Sequence, residues 1–86
     1  MRREKEQSNS TPYTTLDAYQ AGFLTLRHHT PRLVTQGIKI VFTFHVDNTL
    51  YQDLADYNAG ATVSAIQFTL AIKNLKSKIF ALKMNK

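Results

Sequence analysis

Six apolar residues near the end of the chain, Ala65, Phe68, Ile72, Leu75, Ile79 and Leu82, follow one another at alternating steps of three and four. With 3.6 residues per turn, such steps keep side chains on one side of a helix. Residues 63–83 are therefore expected to form one long helix carrying an unbroken a/d stripe of nearly three heptads. Two uses of the stripe stay open. It can pack along the chain's own sheet, or Phe68, Ile72, Leu75, Ile79 and Leu82 can pair with a second copy or a partner helix. Ile66, Leu70 and Phe80 lie off the stripe. A helix that is apolar on more than one side is usually buried by more than one neighbour.

The same helix holds the chain's net charge. Residues 1–12 have three cations against two carboxylates, and residues 13–56 have three against four. Lys73, Lys76, Lys78, Lys83 and Lys86 meet no acidic residue after Asp56, so the whole +5 resides there. A positive patch concentrates anionic partners, and nucleic acid is the commonest because its phosphates dominate affinity. Lys73, Lys76 and Lys83 fall within an arc of about 80° at roughly 100° per residue, while Lys78 lies on the opposite flank. With Lys39, and with Thr43 and His45 on a strand face as further candidates, these three lysines form the nucleic-acid-binding expectation. The plainer alternative is a solvated helix edge whose cations complement the helix dipole. Tyr13, Tyr19, Tyr51 and Tyr57 are the aromatics suited to base stacking, and each also fits as a half-buried core residue. No helix-turn-helix, zinc finger or ribonucleoprotein motif is present.

Upstream, residues 1–12 have no apolar side chain after the initiator and are expected to be a flexible polar tail. Residues 13–86 then make a single domain near the size at which one core gives only marginal stability. Tyr13, Thr14 and Thr15 suit a short strand, with Thr15 capping a helix from Leu16 whose inner face is Leu16, Tyr19 or Gln20, Phe23 and Leu24. Thr30 and Pro31 end that helix. Residues 32–35 and 38–46 read as a hairpin turning at Gln36 and Gly37. Ile38, Ile40, Phe42, Phe44 and Val46 share its core face, and Lys39, Val41, Thr43 and His45 the other. A short helix over residues 49–57 follows, with Asp47, Asn48 or Thr49 as cap and Leu50, Leu54 and Tyr57 or Tyr51 facing inward. Asn58 and Gly60 end it. The expected fold class is α+β: a small antiparallel sheet in β-α-β-β-α-α order with helices on one face.

Chemistry is sparsely signalled. With no cysteine there is no disulfide, thiolate zinc site or cysteine nucleophile. His28 and His29 point about 100° apart on a helix and chelate poorly. Asp47, Asp53 and Asp56 lack the pattern of a calcium loop, with Asp47 read as a cap and the other two on the outer face of the short helix. The three glycines are too scattered for a phosphate loop. The expectation is a non-enzymatic protein with no catalytic or metal site, no cofactor and no small-molecule substrate. Without an apolar leader or membrane-spanning run, a cytoplasmic location with no membrane partner is expected.

Several pieces also resemble a family of small uncharacterised bacterial domains, a domain of unknown function. They are Tyr13, Thr15 and Asp17 at the start, then Ala21, Phe23 and Leu24 in the first helix. Phe42 and Phe44 end the hairpin, Leu54, Tyr57 and Gly60 follow, and Phe68 with Leu75 and Lys76 mark the final helix. The resemblance spans residues 13–82. It implies an α+β fold with helices covering a small antiparallel sheet, and it brings no established activity or site residue.

Overall fold

A computed structural model describes residues 11–84. The expected tail falls almost wholly outside them. The elements are β1 (Tyr13–Thr15), α1 (Ala18–Leu26), β2 (Arg32–Gln36), β3 (Lys39–Phe44), α2 (Asn48–Asn58) and α3 (Ala65–Met84). The class is α+β and the order is the one expected. The three strands form an antiparallel sheet with β3 in the middle. Tyr13 pairs with Phe44 and Thr15 with Phe42, while on the other edge Leu33 pairs with Phe42 and Gln36 with Lys39.

That last pair corrects the turn by one residue. Its two central positions are Gly37 and Ile38, not Gln36 and Gly37. Gly37 has φ 64° and Ile38 is not in the positive-φ region, as a type II′ turn with glycine first requires. Ile38 is therefore a turn residue, 95% exposed, rather than part of the core face. Phe42 and Phe44 do face the core, with Val46 and Leu33 packed beside them. Val41, assigned to the half-wet face, is nevertheless buried. It sits on the central strand opposite Val34.

α1 is the centre of the helical layer, touching α2, α3 and β1. It starts later than the sequence suggested. Asp17, not Thr15, is its cap, accepting from the Tyr19 and Gln20 amides at 2.9 and 3.2 Å, while Thr15 Oγ1 accepts from the Asp17 amide. Its central place explains why four successive residues, Ala21, Gly22, Phe23 and Leu24, are all buried, whereas Leu16 and Tyr19 are exposed. At Gly22, α3 comes so close that an added Cβ would lie 2.7 Å from Ile72 Cδ1.

α1 and α2 end in the same hydrogen-bonded turn. At the end of α2, the Gly60 amide donates to Tyr57 O and the Ala61 amide to Asp56 O, with Gly60 at φ 85°. At the end of α1, His28 donates to Thr25 O and His29 to Leu24 O, with His28 itself at φ 72°. Both are Schellman motifs, one closed by the customary glycine and one by a histidine.

The core joins Ala21, Phe23 and Leu24 of α1 to Phe42 and Phe44 of the sheet, Leu50 and Leu54 of α2, and Leu75 of α3. Tyr57 is the α2 tyrosine packed against it, and Tyr51 is exposed. Asp47 caps α2 from outside its first turn. α3 begins at Ala65 rather than Val63, with Ser64 Oγ accepting from the Gln67 amide at 3.3 Å.

Candidate functional site

α3 is apolar on two sides, only one of which faces the core. Its a/d stripe turns inward: Ile72 and Leu75 are buried, and Phe68 and Ile79 pack on the core. Leu82 lies at the stripe's end beside the β2–β3 turn, half open to solvent. Four of the five residues expected for self-association are thus engaged with their own chain, and Phe68 also stacks on Tyr19 with ring centres 6.2 Å apart.

The solvent side of α3 is also apolar. Ile66, Leu70, Phe80 and Met84 are exposed by 74, 54, 64 and 68% respectively. At roughly 100° per residue these four, with Lys73 and Ser77, lie within an arc of about 80° on the side away from the buried stripe. Ile66, Leu70 and Phe80 were visible in the sequence as an off-stripe group. Ser77 and Met84 were not grouped with them, although their spacing continues the same pattern.

Lys73, Lys76 and Lys83 are all exposed on α3, Lys73 within that arc and the other two along one flank of it. Lys39 is exposed on β3, on the opposite sheet face from Ile40. Ile40 shares a groove with Leu82 and Lys83, so Lys39 projects away from the side on which α3 meets the hairpin. The four lysines are not gathered on one face. Of the tyrosines, Tyr13 and Tyr57 are packed on the core, leaving Tyr19 and Tyr51 accessible. Burial pushes the Tyr57 phenol up, with a smaller contribution from the charge of Asp17.

A polar cluster joins the end of α1 to α2. Asp53 is buried and accepts from Arg27 at 2.6 Å through Oδ1, while its Oδ2 lies 2.7 Å from His29 Nε2. Arg27 also donates to Asp56 at 3.0 Å and lies over the Phe23 ring, 4.8 Å from its centre. The Asp56 and Asp53 carboxylates hold the Arg27 guanidinium more firmly protonated. This corrects the placement of Asp53 and Asp56 on an outer face: they face α1. The partners are 24 to 29 residues apart, so no local pattern announces them. The left-handed His28 makes the cluster possible by turning the chain so that His29 comes back against α2. Each charged group is turned on another, which makes the cluster a clasp between helices. Among the described residues no group of three histidine or acidic side chains is arranged to hold a metal. No helix there is long and apolar enough to cross a membrane.

No protein-family model matches the chain, nor does any curated protein or solved structure.

Proposed function

We propose that this protein is a non-enzymatic interaction module whose binding surface is the solvent side of α3. The observation that carries the reading is the exposure of Ile66, Leu70, Phe80 and Met84 along one line of a helix whose other side is already committed to the core. Scattered exposed apolar residues are ordinary, but an aligned set on one element marks a docking face. Lysines beside it repel a cationic partner at low ionic strength, a repulsion that salt screens. The anionic dye 1-anilinonaphthalene-8-sulfonate tests the surface directly. Dilute folded protein should bind the dye, and Leu70→Glu with Phe80→Glu should abolish binding while circular dichroism stays unchanged. Absence of dye binding, or binding unaffected by these exposed-site changes, sinks the reading.

A second reading, nucleic-acid binding, is favoured by the exposure of Lys73, Lys76 and Lys83 on a helix without a carboxylate. Fluorescence anisotropy with labelled single- and double-stranded DNA at two salt concentrations tests it. Binding through phosphates must weaken as salt rises. No binding at low salt, or salt-independent binding, counts against it.

A further inference from the structure

The exposed line on α3 is itself a heptad seam. Ile66, Leu70, Lys73, Ser77, Phe80 and Met84 follow at steps of four, three, four, three and four, so α3 carries one such seam on its buried side and another facing solvent. The outer seam has a property the inner one lacks the freedom to use: it matches itself when reversed. Turned end for end about Leu75, position 66 falls on 84, 70 on 80, and 73 on 77.

We propose that the occupant of this face is a second copy of the chain, its α3 laid antiparallel across a twofold axis near Leu75. This rests on the reading of the α3 surface given above and names its partner. In that register Ile66 meets Met84 of the second copy, Leu70 meets Phe80, and Lys73 lies beside the small hydroxyl of Ser77. Each apolar residue finds an apolar residue, as an isologous interface demands. The parallel alternative stacks Lys73 on Lys73 inside the seam, where like charges lose solvent, and a lysine at a seam position is a known way to dictate register.

The flanks make the match more specific. On one side lie Gln67, Asn74 and Ala81, and on the other Thr69, Lys76 and Lys83. Antiparallel helices bring like flanks together, so Lys83 meets Thr69 and Lys76 meets its own symmetry mate beside the axis. No carboxylate on either flank selects a different, basic partner. The repulsions are between Lys76 and its mate and between the two Lys73 groups, about one turn apart along the seam; they lie near solvent and are relieved by screening. Self-association should therefore strengthen with salt, the reverse of phosphate binding. Two helices of about 30 Å in contact bury on the order of 1,000 Å² or less, which places the dimer among weak, concentration-dependent assemblies.

Sedimentation equilibrium over a concentration series at low and high salt tests association, and cysteine cross-linking tests orientation, which is clean because the chain has no native cysteine. The expected result is a monomer–dimer equilibrium shifted toward dimer by salt and weakened roughly 30-fold or more by Leu70→Glu or Phe80→Glu, the loss typical of an anchor residue. Mixed Ile66→Cys and Met84→Cys proteins should form a disulfide-linked heterodimer, and neither should cross-link to itself. A monomer at every concentration overturns the second copy as occupant; if the dye still binds, the docking face survives without it, and if the dye fails too, both readings fall. Self-cross-linking of Ile66→Cys, or a dimer indifferent to Leu70→Glu and Phe80→Glu, overturns the antiparallel arrangement.

Discussion

His28 holds a left-handed conformation that a non-glycine residue adopts at a cost, and it does so where α2 uses Gly60. His28→Gly is expected to stabilise the protein by about 0.5–1 kcal/mol, read by urea denaturation, the gain being reduced by glycine's greater freedom in the unfolded chain. An unchanged or lower midpoint would show that the histidine side chain itself contributes there. Asp53 is the residue through which Arg27 and His29 act together. Removing it leaves two donors without their shared acceptor, so Asp53→Ala should cost about 2 kcal/mol, as for other hydrogen bonds to charged groups. Asp56→Ala, which removes only the more exposed contact, should cost clearly less. Equal losses in the two variants would mean that the clasp does not centre on Asp53.

At the scale of elements, the contact of α1 with α3 depends on Gly22. Gly22→Leu forces a side chain into space already held by Ile72 and Phe68, and a loss of about 2 kcal/mol is expected from overpacking. α2 carries a pH-dependent end. The Thr49 hydroxyl and the Leu50 amide bond the charged Asp47 carboxylate and lower its pKa from the ordinary 3.8. As pH falls, the unfolded chain takes up this proton first. The stabilisation from Asp47 is therefore fully present above 3.8 and is lost as pH drops through the lower folded value. Asp47→Asn keeps a capping oxygen but cannot titrate. Its stability measured by urea denaturation from neutral pH down to about pH 2 should fall less steeply than that of the wild type. Identical acid limbs would show that the cap contributes no such linkage.

The whole molecule is small enough that its core gives a narrow margin, and a partner on α3 would widen it by mass action. If a second copy fills that face, the urea midpoint should rise with protein concentration for the wild type and stay constant for the Leu70→Glu, Phe80→Glu double variant. A wild-type midpoint independent of concentration up to the solubility limit would contradict self-association at this scale. α3 can serve both roles because a helix 30 Å long has two sides and its inner side alone completes the core.

Much of this was written locally in the chain. The period of three and four from Ala65 to Leu82, the alternation of Phe42 and Phe44, Gly37 in a hairpin and Gly60 at a helix end each act within a few residues, so the α+β class and element order could be read without coordinates. Local rules erred by one or two residues where neighbouring groups competed for one role, as Thr15 and Asp17 did for a cap and Gln36, Gly37 and Ile38 did for a turn. Only the tertiary structure decided which of the two apolar sides of α3 is core. Periodicity reports that a face is apolar and carries no information about what lies against it. The same limit hid the Arg27, His29, Asp53 and Asp56 clasp, whose partners meet only after α1 and α2 have packed together. Residue spacing alone thus set the two seams and the lysines of α3, and packing against α1 and the sheet left one seam exposed.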